Sequence, residues 1–388
     1  MVGTLDVLLD YPMLRERVDR DEIAASPERS MWRYRSLMPL EAASEVPPLR
    51  VGGTPLLPAQ RLAENLGLRR VWVKDDGLNP TGSLKDRASS MVVARALERG
   101  IPVVATASTG NAAAALAGIG ASVGSDRLRI VIFVPASAPE GKIAQLIVYG
   151  ATVLLIEDSY DVAFDLCFQL CQEQGWYCRN TGINPYTIEG KKTAAFEIAE
   201  ELGWRVPDAV VVSVGDGNII AGVHKGFYDL FQLGWIERIP RLIGVQAEGS
   251  SPLFRAWKAG LRAQEMPVEE ANTLADSISA GVPRDRAKAL RAVRETDGGF
   301  VAVPEDDILR SIPQFARLTG VFAEPSCAII YAGARRALQA GLLGKDDEVV
   351  FLATGHGLKD VKRAQMSVET GLRVPPEMAL IRHALNIP

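Results

Sequence analysis

Four cysteines in 388 residues are too few and too unevenly placed for a disulfide scaffold. Cys167 and Cys171 lie four apart on a predicted helix and Cys178 comes soon after, so only these three are near one another. Buried free thiols are the expectation, because cysteine packs as a small hydrophobe. The three histidines, His224, His356 and His383, show no ligand spacing, and no metal is expected. The net charge of −4 comes without a basic run or face, which argues against nucleic acid as a partner. No apolar stretch is long enough to span a bilayer, so no membrane partner is expected. Met1-Val2-Gly3-Thr4-Leu5-Asp6 lacks the basic start and apolar core of a signal peptide, and a cytoplasmic location is the simplest expectation.

What is present is an ordinary globular composition, 47% hydrophobic and 23% charged, at a length that suits two domains. Short apolar runs alternate with helical patterns, as in parallel βαβ units. The runs are Arg70–Lys74, Val103–Thr106, Arg129–Val134, Thr152–Ile156, Trp176–Cys178, Ala209–Val214, Arg241–Gln246 and Glu348–Ala353. Helices are predicted from Ala112, Gly141, Tyr160 and Asn218, and over Glu189–Leu202. Near-continuous apolar strands imply cover on both faces. The expectation is an α/β chain of two three-layer domains with mainly parallel sheets. Residues 50–92 and 188–374 form the large domain and 93–187 a small mobile one, with Gly182-Ile183-Asn184-Pro185 as the returning hinge. Residues 1–49 form an N-terminal arm with helical pieces at Met13–Val18 and Leu37–Ala43, and 375–388 a C-terminal tail. Ligands of open α/β sheets bind at the C-terminal ends of the strands.

One segment carries a specific chemistry. Asn79-Pro80-Thr81-Gly82-Ser83-Leu84-Lys85-Asp86-Arg87 is a turn that delivers Lys85 to the start of a helical pattern. Ser83 is the predicted N-cap. Asp86 and Arg87 are expected to pair locally. An amine in the first helical turn is biased towards its neutral, nucleophilic form, which suits covalent chemistry with a carbonyl cofactor. A lone lysine is most often solvated surface, so its role depends on the motifs downstream of it in the chain.

Two glycine-containing turns come after apolar strands and open helices. Gly215-Asp216-Gly217-Asn218-Ile219 lets backbone N–H groups approach an anion; a dinucleotide fingerprint fails here because Ile220 occupies its third position. Ser108-Thr109-Gly110-Asn111 can hold a carboxylate through hydroxyls and amides, or simply cap its helix. Thr354 ends a strand, and His356 in the next turn reads better as a structural hydrogen bonder than as a base.

Taken in order, Gly53-Thr54-Pro55-Leu56, the Lys85 segment, Thr106 to Ala113, Val214 to Ile219, Glu324-Pro325-Ser326 and Thr354 to Asp360 resemble the tryptophan-synthase-β superfamily of pyridoxal-phosphate enzymes, fold type II. Within it the chain is most similar to the threonine synthases. The resemblance implies pyridoxal 5′-phosphate in the interdomain cleft, joined to Lys85. It implies the phosphate on Gly215–Ile219, Asn111 at the ring's 3′ oxygen, Thr354 at the pyridine nitrogen and Glu324-Pro325-Ser326 behind the ring. Ser108, Thr109, Gly110, Lys142 and Thr187 then face the amino-acid substrate. The implied reaction takes O-phospho-L-homoserine and water to L-threonine and phosphate, in a homodimer. Two departures stand out: Thr187 holds a place where these enzymes often carry a basic residue, and Ala112 comes directly after Asn111 where a hydroxyl is frequent. Alternatives sharing this framework are threonine or serine dehydratases, β-replacement synthases such as cysteate synthase, and a catalytically silent binding protein.

Overall fold

Each predicted apolar run becomes a strand in the computed structural model, which describes residues 4–387. The strands are β1 (Leu56–Pro58), β2 (Arg70–Asp75), β3 (Val103–Ala107), β4 (Arg129–Pro135), β5 (Thr152–Ile156), β6 (Tyr177–Cys178), β7 (Ala209–Ser213), β8 (Arg241–Ala247), β9 (Gly299–Val303) and β10 (Glu348–Ala353). They form a six-stranded sheet, order β1-β2-β10-β7-β8-β9, and a four-stranded sheet, order β5-β4-β3-β6. Every pairing is parallel except β1 with β2. The chain thus starts the larger sheet, leaves to build the whole smaller sheet, and returns at β7.

Period-two alternation sends neighbouring side chains into different cores, which is why both sheets carry helices on both faces. Val210, Val212, Val350 and Leu352 join a core shared with helices Asn218–Leu233 and Arg286–Glu295. Val211, Ile243, Val349 and Phe351 face helices Glu305–Thr319 and Pro325–Gln339. In the smaller sheet Val104, Ile130 and Ile132 belong to the first core, whereas Ala105, Val131 and Phe133 meet Cys167 and Cys171. Strands β7, β3 and β10 are buried along their whole length.

Several sequence expectations are corrected. The helical piece expected at Leu37–Ala43 is absent; a 3₁₀ helix occupies Met31–Leu37 and stops at Met38 (ψ 151°), because Pro39 bars helical backbone in the residue before it. Residues of the N-terminal arm join the main core, Leu14, Ile23, Trp32 and Tyr34 among them, and Tyr11 Oη donates to Asp229 at 2.7 Å. The helix expected over Glu189–Leu202 is two, Tyr186–Lys191 and Thr193–Glu201. At the junction the Thr193 hydroxyl donates to the Gly190 carbonyl, a local bond that competes with the helical ladder. Strands β1 and β9 were not anticipated.

Candidate active site

Lys85 opens the helix Lys85–Glu98, but not through Ser83. Leu84 holds the cap position with helical angles and the Ser83 hydroxyl has no partner among the described residues, because Ser83 is drawn into a backbone bridge with Gly355. The turn is fixed from other directions. Asn79 accepts from the Gly52 N–H at 2.9 Å, Asp86 accepts from the Thr81 N–H at 2.7 Å, and the Leu84 N–H donates to the Thr354 carbonyl at 3.0 Å. That last bond seats Lys85 beside the end of β10. The expected Asp86–Arg87 pair does not form. Arg87, fully buried, instead clamps Asp76 (2.7 and 2.8 Å) and Glu197 (2.6 and 2.7 Å).

The Lys85 side chain looks into a cavity of about 970 Å³ between the two sheets, walled by the strand ends and covered by residues 268–284. It has no hydrogen-bond or ion-pair partner among the described residues. Burial lowers its pKa; the Glu324 charge opposes this and the Arg179 charge adds to it. Burial outweighs the helix start that the sequence suggested.

The loop after β3 and the loop after β7 bring most of the predicted residues to this cavity. Ser108, Thr109, Gly110 and Asn111 line one side, and Gly215, Asp216, Gly217, Asn218 and Ile219 the other. No side chain caps the helix Asn111–Val123, so helix capping does not account for Ser108 or Thr109. Asn111 donates to both oxygens of buried Glu324, at 2.9 and 3.1 Å. A Cβ on Gly215 would lie 2.8 Å from Ile278 Cα, and Gly217 has φ +89°; both positions need glycine. Asn218 opens the helix Asn218–Leu233, donates to Asp285 at 2.6 Å and accepts from Lys191 Nζ. Burial raises the pKa of the Asp216 carboxyl, which accepts from the Arg284 N–H at 3.3 Å.

Three predicted residues lie elsewhere. Thr354 is buried at the end of β10, its N–H on Cys327 Sγ at 3.2 Å. Thr187 is behind the cavity wall, donating to the Asn184 carbonyl at 2.8 Å and accepting from Asn218 at 3.2 Å. Lys142 stands at the rim, 2.6 Å from Asp276 Oδ2. His356 Nδ1 accepts from the Leu358 N–H at 3.1 Å, the structural role expected of it.

Sequence reasoning missed Arg179, Lys191 and Tyr160, which all line the cavity, and the covering segment. Arg179 comes after a two-residue strand and Lys191 sits in a helix, so no motif spacing signals either. Burial drives the Lys191 amine far below its usual pKa, with Arg179 and Lys85 pushing the same way. Away from the cavity, the Cys167, Cys171 and Cys178 sulfurs lie within 4.8 Å of one another, with no fourth ligand in that group.

These residues fit pyridoxal phosphate. An amine without a protein partner faces the cleft. Opposite it lie a glycine turn, a helix N-terminus and the buried Lys191 amine, donors of the kind an anionic tail needs.

Residues 48–355 match the family model described as pyridoxal-phosphate dependent enzyme. The threonine synthase of Methanosarcina acetivorans is 40% identical over 384 residues, covering 99% of this chain and 92% of that protein. That of Methanocaldococcus jannaschii is 36% identical over 385 residues, covering 99% and 94%. Among solved structures, the processed threonine deaminase isoform 2 of Solanum lycopersicum superposes with a TM-score of 0.69 at 22% identity, covering 95% of this chain and 91% of that one.

Proposed function

Because the chain belongs to the pyridoxal-phosphate-dependent enzyme family, we propose that it is a threonine synthase, converting O-phospho-L-homoserine and water to L-threonine and phosphate. The observation that carries this is the 40% identity to a threonine synthase along 99% of the chain. When bound, pyridoxal phosphate supplies a carbonyl that an amine can join and a ring that draws electrons from the substrate's carbons.

The chain's own residues do the rest. Lys85 carries the cofactor; its amine, which burial makes easier to deprotonate, takes and returns protons at the α and β carbons. Gly215, Asp216, Gly217, Asn218 and Ile219, with Lys191, hold the cofactor's phosphate. Asn111, steadied by Glu324, holds the ring's 3′ oxygen. Thr354 offers the pyridine nitrogen a neutral hydroxyl, which favours elimination and replacement over transamination. Ser108, Thr109 and Gly110 take the α-carboxylate. Lys142 serves the distal end from the rim, and Thr187 acts through Asn218. Residues 93–187 move as a unit about Gly182–Pro185, closing the cleft over the substrate and the water that reacts with it. The protein works as a cytoplasmic homodimer. Among the described residues no helix is long and apolar enough to cross a membrane.

The test is product analysis. Purified protein given O-phosphohomoserine should release threonine and phosphate in equal amounts, and Lys85→Ala should release neither. Phosphate without threonine, or an oxoacid formed from threonine alone, overturns the assignment. Elution at the mass of a single chain overturns the dimer.

A further inference from the structure

The buried cations of this chain fall into two sets. Arg87, Lys74 and Lys192 each meet carboxylates within 2.8 Å. Arg179 does not. It is 1% exposed, its Nε and Nη1 reach only the Ser89 and Thr181 hydroxyls at 3.4 and 3.3 Å, and its Nη2 has no partner among the described residues. Burial lowers this guanidinium to about 10, partly offset by Tyr160 and Cys178. A buried charge is ordinarily paired, because leaving water uncompensated is costly. Arg179 lines the cavity, so its counter-charge comes from what enters it.

Position narrows the choice of anion. The glycine loop and Lys191, on the larger sheet, already form a receptor for the cofactor's phosphate. Arg179 is on the smaller sheet, immediately after β6. There β6 pairs with β3, Ala105 opposite Cys178, and the Arg179 N–H donates to the Ala105 carbonyl at 2.8 Å. The loop Ser108–Gly110 leaves the same end of β3. The carboxylate loop and the guanidinium therefore project from neighbouring backbones one strand spacing, about 5 Å, apart. That matches an amino acid with an anion at each end. Thr187 brings no charge, and Lys142 stands at the rim, shared with Asp276, so a buried cation is still wanting at the far end.

We propose that Arg179, assisted by the Thr181 hydroxyl, binds the phosphoryl group at the far end of the amino-acid substrate. The proposal rests on the threonine synthase reading for the substrate's identity. The planar fork of the guanidinium suits two phosphate oxygens at once.

The experiment uses the cofactor-loaded enzyme and inorganic phosphate as the probe. Phosphate should inhibit competitively against O-phosphohomoserine. Arg179→Met removes an uncompensated charge and should fold. Its Ki for phosphate and KM for O-phosphohomoserine should rise about 10- to 100-fold, as for a lost charged hydrogen bond. Binding of L-homoserine, which lacks the phosphate, should not change, nor should cofactor retention on dialysis. Arg179→Lys should fall between the two. An unchanged Ki in Arg179→Met, or in Arg179→Lys should the first variant not fold, overturns the proposal. Loss of cofactor in step with phosphate also overturns it, placing Arg179 on the cofactor's phosphate. Should the wild type make no threonine yet bind phosphate and phosphoserine through Arg179, the functional reading fails and this inference stands.

Discussion

Lys142 Nζ lies 2.6 Å from Asp276 Oδ2, which ties the helix Glu140–Val148 of the smaller sheet to the segment covering the cleft. Arg284 adds a second tie, 3.5 Å from Asp161 and stacked 4.7 Å over the Phe164 ring. These side chains are partly solvated, so the Lys142–Asp276 pair contributes less than about 1 kcal/mol. Lys142→Gln and Asp276→Asn should each leave the denaturation midpoint almost unmoved. Lys142→Gln should raise KM for O-phosphohomoserine, whereas Asp276→Asn, which frees the amine, should not. An equal rise in both would mean that the tie, and not the lysine's charge, serves the substrate.

Arg87 should behave in the opposite way. It is fully buried between Asp76 and Glu197, and Lys74 shares Glu197 at 2.8 Å. Arg87→Ala leaves buried Asp76 without a cation and Glu197 with Lys74 alone, and should cost about 3–5 kcal/mol. Arg87→Lys keeps the charge but loses the paired contacts, so it should recover only part of this. Urea unfolding measures both.

Gly215→Ala tests the anion cradle. The new Cβ would meet the Ile278 backbone at 2.8–3.0 Å, so either the loop or the covering segment must shift. Overpacking of this kind costs about 1–3 kcal/mol. Cofactor affinity should fall at least about tenfold, read from visible absorbance against added pyridoxal phosphate. Gly141→Ala, where a Cβ meets nothing within 4 Å, is the matched control.

His224 predicts an acid effect. Burial lowers its pKa from 6.5 to about 4, and Glu295 at 3.2 Å is too solvated to reverse this. Above pH 6.5 both folded and unfolded forms are neutral there and nothing is lost. As pH falls below 6.5 the unfolded chain takes up the proton first, so stability drops, by on the order of 3 kcal/mol by pH 4. His224→Gln should remove that share of the acid sensitivity. Melting temperatures at pH 7 and pH 5 should differ less for the variant than for the wild type; an equal difference refutes the assignment.

The strands were legible because parallel strands covered on both faces must be apolar along their length, as β7 and β10 are. β1 and β9 were not: one is three residues with a proline, the other begins at a glycine. The loops around Lys85, Asn111 and Gly215 were legible because turn chemistry is local. Arg179 and Lys191 were not, since nothing local distinguishes a buried cation facing a cleft from one held by a carboxylate, as Lys192 is. The Asp86–Arg87 pairing failed for a related reason. Adjacent residues on a helix point apart, and Arg87 found partners 11 and 110 positions away.

The strand order has a bearing on how the nascent chain acquires its shape. β2 lies hydrogen-bonded to β1 on one side and to β10 on the other, with Arg70 opposite Glu348, so its second neighbour is missing until β10 has been made. The smaller sheet closes entirely within residues 103–178 and can assemble as it emerges. Until β10 emerges, the free side of β2 remains an unsatisfied edge, the kind of intermediate that draws chaperones and is most exposed to aggregation.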